Sequence, residues 1–244
     1  MTKLLTHYKN RLLRKKVEPG DFHPAALKHL QAAEQINLAV SLEDARYIIF
    51  DTELTGLNLK KDSIVSIGAV KMSGGKIDLM NTYYRVVEPT SLMSRKSVVI
   101  HGITPSEASE CPTLDVLLPE FLDFCGNGIL VGHFVAIDVA FVNKAMSALF
   151  GLPLQNPAVD TQALYRWIRE KEERYCAFHA GLTEDVDLLT LSQRYEIPVS
   201  EAHNALNDAF VTAQLFQRFL TMLRHFKIRT AEDLVKIGKP ISIE

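Results

Sequence analysis

Three strand-like runs stand in succession: RYIIFDTE (46–53), IVSIGAVKM (64–72) and KIDLMNTYYRVVEP (76–89). Ser73-Gly74-Gly75 separates the last two, and Gly-Gly between such runs is a hairpin signal. After them the pattern changes to strand–helix alternation. GILVGH (128–133) precedes a helical pattern at 135–149 that Gly151-Leu-Pro stops, and a short strand near Ala158-Val159 precedes another helix. A hairpin joined to strand–helix alternation predicts a mixed α/β sheet covered by helices.

Further helices are expected over 24–38, from Thr113 through Leu122, after an Asp160 or Thr161 cap, over 187–195 and over 204–225. HGIT followed by Pro105 predicts a short helical turn. Residues 170–187 have no clean period and read as a connector. The expected organisation is a helical appendage (1–44), a catalytic-type α/β domain (45–225) and a C-terminal helical tail (226–244).

Hydrophobic residues make up 47% and charged residues 23% of the 244, which excludes a disordered chain and fits a soluble globular one. Three cysteines (Cys111, Cys125, Cys176) without CxxC spacing argue against a disulfide framework or a structural zinc site and suit a reducing cytosol. The most apolar stretch, 128–142, is interrupted by His133 and Asp138, so it is not a spanning helix. With no secretion signal either, a cytoplasmic protein is expected. The net charge of −2 gives no bulk attraction to nucleic acid. Residues 1–16 carry six Lys and Arg and no acid, with Leu4, Leu5, Tyr8, Leu12 and Leu13 at helical spacing. That basic amphipathic helix either packs on the main domain or serves as an arm for nucleic acid or a protein partner.

The chemistry lies where acids interrupt apolar strings. Asp51 and Glu53 end the first strand and, at i and i+2, point to one face. They are either an exposed strand end or two facing carboxylates that repel unless a cation lies between them. Asp138, in VAIDVAF, is either a helix-start cap or a buried carboxylate in need of a partner. His203 and Asp208 are five residues apart and share no helix face. They converge only if His203 lies in the loop before the helix or in its first turn. Taken together, four hard oxygen ligands and one neutral-range base suit two Mg²⁺ or Mn²⁺ ions rather than zinc, and phosphoryl displacement as the reaction.

FDTELTGL (50–57), GHFVAIDVAFV (132–142) and HNALND (203–208), in that order, resemble the three motifs of the DEDDh (DnaQ-like) exonucleases. That group is typified by the proofreading epsilon subunit of bacterial DNA polymerase III and has the ribonuclease H-like fold, a mixed five-stranded sheet flanked by helices. HGIT (101–104), Val159-Asp160-Thr161 and LLTLSQRYEI (188–197) add to the likeness, which covers about 46–222. The resemblance implies that Asp51, Glu53, Asp138 and Asp208 hold the metals and that His203 is the general base. Leu54, Thr55, Gly56, His133 and Phe134 then meet the terminal nucleotide. Leu54 stands where the family often has Thr, Phe134 where it usually has Asn, and Ile137 where it often has Phe.

The expected activity is metal-dependent 3′→5′ hydrolysis of single-stranded DNA ends to 5′-mononucleotides, with a DNA polymerase or other protein as a partner through 1–44. An exoribonuclease or short-oligonucleotide nuclease shares the phosphate chemistry, and the 2′-OH decides between them. A non-catalytic adaptor on the same fold has no use for four mutually repelling carboxylates. Ser73-Gly74-Gly75-Lys76 lacks the order of a phosphate-binding loop, and Cys176 and His179 lack spaced metal partners.

Overall fold

Strand β1 (Arg46–Leu54) is the centre of a five-stranded sheet in the computed structural model, which describes residues 23–175, 186–200 and 203–241. It pairs antiparallel with β2 (Ile64–Ser73) and parallel with β4 (Ile129–Gly132). Strand β3 (Lys76–Val86) extends the antiparallel side and β5 (Ala158–Asp160) the parallel side, giving the order β3-β2-β1-β4-β5. The Gly-Gly hairpin forms as expected. Ser73 opposes Lys76, and Gly74 adopts φ +53°, where a Cβ would lie 2.3 Å from the Glu43 carbonyl oxygen.

The helices in chain order are α1 (Pro24–Ala33), α2 (Arg95–His101), α3 (Pro105–Ser109), α4 (Leu114–Cys125), α5 (Ala136–Leu149), α6 (Thr161–Tyr175), α7 (Leu188–Arg194), α8 (Ala205–His225) and α9 (Ala231–Ile237). The period of two along β1 sorts them into layers. Ile48 and Phe50 face one core, shared with α1, α4 and α5 through Leu30, Phe121 and Met146. Tyr47 and Ile49 face the other, shared with α6 to α9 through Ile168, Leu191, Phe216 and Leu234. Each such side chain, removed from water, stabilises the fold by about 1.5–3 kcal/mol. The same alternation carries on to the strand's end. Asp51 and Glu53 fall on the α8 face, and Thr52 on the α5 face.

Two local departures from expectation have physical causes. Helix α1 stops at Ala33 rather than running to Leu38. The amides of Gln35 and Ile36 bond three residues back, and the Asn37 side chain accepts from Ala39 N (3.0 Å), a turn that competes with the helix. Helix α2 has no expectation behind it, because Val98, Val99 and Ile100 are poor helix formers. It is nucleated by Ser94, whose side chain accepts from Ser97 N. The turn expected at Pro105 is α3, closed by a Thr104–Glu107 capping box.

The described parts of both flanks pack into the cores. Ala26 and Leu30 are buried, Lys28 pairs with Asp123, and the buried His29 accepts from Gln155 N. Residues 38–42 and 228–232 are stitched together by main-chain bonds, and Leu42 is buried beside α8 and α9. Deleting 1–44 is therefore expected to lower the melting temperature sharply. Losing Leu30 and Leu42 alone costs about 2–5 kcal/mol each, by analogy with Leu→Ala truncation. Thermal melts of the truncated chain check this; an unchanged melting temperature would show that these contacts contribute little.

The basic helix expected at 1–16 lies outside the described residues, as do 176–185 of the expected connector. No helix among the described residues is long and apolar enough to cross a membrane.

Candidate active site

Carboxylate oxygens of Asp51, Glu53 and Asp208 lie within 4.8 Å of one another at the end of β1. The strand period brings the first two together, and α8 carries the third across the sheet face. Gly68 allows that approach. It sits opposite Asp51 in β2, and a Cβ there would lie 2.2 Å from the backbone of Ala205 and Leu206. The start of α8 thus rests directly on the strand beside Asp51, a constraint invisible in SIGAV as a sequence. Gly68→Ala is expected to lift the first turn of α8 and cut nuclease turnover by about 10²-fold, the scale of an ångström-size misplacement. Turnover measured beside a melting curve checks it; full turnover would mean that this contact does not set the position of Asp208.

Burial and mutual repulsion dominate the electrostatics. Burial, then the charges of Asp138, Glu53 and Asp208, hold the Asp51 carboxyl well above the usual range. Glu53 is pushed up to about 7 by burial and by Asp208 and Asp138. Asp208 is raised by burial, against which the His203 amide and charge act. No Lys or Arg figures among these influences. Among the described residues only His203 offsets the cluster, and only at Asp208, and a set of hard oxygens is what a divalent cation of the Mg²⁺ or Mn²⁺ type takes. The residues present therefore fit such a group.

Asp138 lies in the first turn of α5, where its carboxylate bonds locally only to its own amide. Its Oδ1 accepts from Thr52 N (2.9 Å) and Thr52 Oγ1 (2.5 Å). It is the buried carboxylate with a partner, and that partner is 86 residues away. Burial pushes its carboxyl up to about 7, against the two Thr52 bonds.

His203 is placed as convergence requires. It precedes Asn204, the N-cap of α8, whose side chain accepts from Leu206 N and Asn207 N. A left-handed φ of 64° turns the His203 amide to donate to Asp208 Oδ2 (3.0 Å). His203 and Asp208 border a cleft of about 310 Å³ with Asp187, Leu188 and Val199.

The nucleotide-facing expectations divide. Leu54, Thr55 and Gly56 line a cleft of about 450 Å³ together with Glu53 and residues of α2. Thr55, however, turns its polar atoms inward. Its hydroxyl meets Asp62 Oδ1 (3.2 Å) and Ser91 Oγ (2.8 Å), and its amide donates to Ser63 O. Gly56 leaves room for the Asp62 carboxylate, which a Cβ would approach to 2.5 Å.

His133 is buried and spent within the protein. Nδ1 meets Thr161 Oγ1 (2.9 Å) and Nε2 meets Val186 O (3.0 Å). Burial pushes its pKa down to about 4, so the ring is neutral. A carbonyl only accepts, so Nε2 carries the proton and donates to Val186 O, and Nδ1 is the acceptor facing the Thr161 hydroxyl, which also lies 3.2 Å from Gly132 O. His133 thus braces the segment at Val186 instead of facing outward. Phe134, half-buried with φ 54°, packs its ring on His133 and donates its amide to Asp160 Oδ1 (3.1 Å).

The site also holds residues to which the sequence reading gave no role there. His101, at the end of α2, lines the larger cleft. Its Nδ1 accepts from Ile103 N, and its Nε2 is buried without a partner among the described residues. Asp160, expected only as a cap, accepts from both Gln162 N and Phe134 N, tying the loop after β4 to the start of α6.

The profile described as Exonuclease (RNase_T) matches residues 48–216. The chain belongs to this exonuclease family, of the DnaQ-like type, and is a hydrolytic nuclease. It is 28% identical over 190 residues to the DNA polymerase III subunit epsilon of Aquifex aeolicus, covering 78% of this chain and 88% of that protein. It is 31% identical over 198 residues to the PolC-type DNA polymerase III of Thermotoga maritima, covering 81% of this chain but spanning only 14% of that polymerase.

Among solved structures, Exonuclease X in complex with 5′ overhanging duplex DNA matches with a TM-score of 0.58 at 22% identity, over 79% of this chain and 99% of that one. Escherichia coli Exonuclease I in complex with a dT13 oligonucleotide matches with a TM-score of 0.62 at 16% identity, over 75% of this chain and 43% of that one. These structural likenesses share the mixed five-stranded sheet with its flanking helices.

Proposed function

We propose that this protein is a 3′→5′ exonuclease that removes 5′-mononucleotides from single-stranded DNA ends with two divalent cations, Mg²⁺ or Mn²⁺. The observation that carries this reading is the set of three carboxylates within 4.8 Å, each pushed up by burial, with no Lys or Arg among the described residues offsetting them and with the His203 amide on the third. Asp51, Glu53, Asp138 and Asp208 are the metal-binding acids. The cations, when bound, neutralise charge on the phosphate and on the attacking and leaving oxygens.

His203, exposed at the mouth of its cleft, takes the proton from the attacking water as general base. The water oxygen joins the phosphorus, the bond to the 3′ oxygen of the preceding nucleotide breaks, and that oxygen leaves as a 3′-hydroxyl once protonated. Leu54 and Gly56 receive the terminal nucleotide in the larger cleft, where Thr55 holds the wall, while His133 and Phe134 hold the loop after β4 beside Asp138. Likeness to an epsilon subunit supports a DNA polymerase as partner, acting in the cytoplasm, with 1–44 as the docking element.

The test is hydrolysis of labelled single-stranded DNA, duplex DNA, RNA and short oligonucleotides, each with Mg²⁺, Mn²⁺ or EDTA. Metal-dependent mononucleotide release, fastest on single-stranded DNA, is expected. Preference for RNA or for short oligonucleotides would move the substrate assignment, and undiminished hydrolysis in EDTA would end the two-metal reading.

A further inference from the structure

Asp51 and Glu53 reach the site from the α8 face of the sheet, whereas Asp138 comes from α5 on the opposite face. Something has to hold a carboxylate from the far layer at the strand end. Thr52 stands between the two acids in sequence and points the other way, toward α5. Strand β4 pairs with β1 only through Ile49, so at Thr52 the ladder on that side has ended. The Thr52 amide there donates to Asp138 Oδ1 at 2.9 Å, and the hydroxyl donates to the same oxygen at 2.5 Å. Both of these contacts fall on one oxygen. That fixes the rotation of the carboxyl and leaves Oδ2 as the oxygen not bound by Thr52.

We propose that Thr52 is the positioning residue of the metal site: by holding Asp138 Oδ1 with two donors it presents Oδ2 as the ligand that this layer of the fold contributes. The proposal rests on the reading of Asp138 as a metal-binding acid. A valine has the same shape and the same strand preference but one donor fewer, so Thr52→Val leaves the carboxyl held by the backbone amide alone and keeps the core filled. Thr52→Ser restores the donor.

The experiment is Mn²⁺ binding to the full chain, by calorimetry or by the paramagnetic resonance of free Mn²⁺, with melting curves in EDTA as a fold control. Thr52→Val is expected to weaken Mn²⁺ binding by about 10–100-fold, the usual cost of losing an outer partner of a ligand. Thr52→Ser is expected to stay within about threefold of wild type, and Thr52→Val added to Asp138→Asn is expected to cost no more than that. If Thr52→Val does not fold, Thr52→Ala against Thr52→Ser gives the same comparison. Unchanged Mn²⁺ affinity in Thr52→Val would overturn the proposal, leaving a merely structural hydroxyl. So would a loss equally large in the Asp138→Asn background, because Thr52 would then act through something else. Wild-type protein that binds no Mn²⁺ would defeat the metal reading first, and this proposal with it; that result is distinguishable because it does not depend on Thr52.

Discussion

Asp51→Asn is expected to abolish cleavage while leaving the fold intact, and in EDTA to make it firmer. Asp51 is the acid that feels all the others: Asp138, Glu53 and Asp208 each raise its pKa beyond what burial does. Asparagine keeps the shape and removes the charge. It removes a ligand of the cluster outright, so the loss of turnover should exceed the ~10²-fold that disturbing an outer partner of a metal ligand costs. Relief of repulsion works the other way on stability, because like charges crowded in a buried site oppose folding when nothing neutralises them. The measurements are turnover on a labelled oligonucleotide and melting temperature with EDTA and with Mg²⁺. A variant that still cleaves within about tenfold of wild type, less than the loss expected for an outer partner, would remove Asp51 from the chemistry.

The same cluster sets a pH dependence whose sign is the reverse of ordinary acid denaturation. Glu53 moves from 4.5 to about 7 and Asp138 from 3.8 to about 7 on folding. Between those values the folded protein holds more protons than the unfolded chain, so stability falls as pH rises through the window. Asp51, raised by burial and by the same neighbours, adds to this in the same direction, so in EDTA the melting temperature of wild type should drop relative to Asp51→Asn as pH rises above the usual carboxylate range. Buried His29 and His133 oppose this, since both fall from 6.5 to about 4 and lose stability as pH drops. They are common to both proteins, as are Glu53 and Asp138, whose shifts do not depend on Asp51, so the difference between the two melting curves isolates Asp51. A difference that does not vary with pH would mean that the Asp51 carboxyl titrates normally in the folded state.

Much of this site was legible because its residues break local rules. Asp51 and Glu53 stand out against Tyr47 to Phe50, and Asp138 against its apolar neighbours, since each needs a compensating partner that the local sequence does not contain. The hairpin was legible from Gly-Gly, and the long helix α8 from its period. What stayed hidden depends on contacts between distant segments. Thr52 reads as a spacer until α5 is seen to deliver Asp138 to it, and Gly68 reads as one strand residue among others until α8 is seen to rest on it. The contacts of His133 are hidden in the same way, because Thr161 and Val186, which engage its two ring nitrogens, lie 28 and 53 residues on. Helix α2 was missed because a serine cap outweighs a β-branched composition that local propensity disfavours.

His203→Ala is expected to lower kcat by about 10²–10⁴-fold, the span for loss of a general base, with a smaller effect on nucleic-acid binding. The geometry singles out this histidine among those near the site. His133 has both ring nitrogens engaged, and His101 has one engaged and is buried, whereas His203 is exposed beside Asp208 and bonded to it through its amide. The amide bond also makes the test specific, because alanine keeps that N–H and so keeps the hold on Asp208. A role confined to capping or to shaping the loop would survive the substitution with near-normal turnover.

The pH profile supplies a second readout. Wild-type turnover should fall with unit slope on the acid side, and that limb should disappear in His203→Ala. Glu53 and Asp138 also take up protons near neutrality when unneutralised, and proton competition at metal ligands weakens as metal concentration rises. A limb that moves to lower pH with added Mg²⁺ therefore belongs to the carboxylates, and one that stays belongs to the base. If His203→Ala keeps more than about a tenth of wild-type kcat at saturating Mg²⁺, or keeps the stationary limb, the proton goes elsewhere and His203 is not the base.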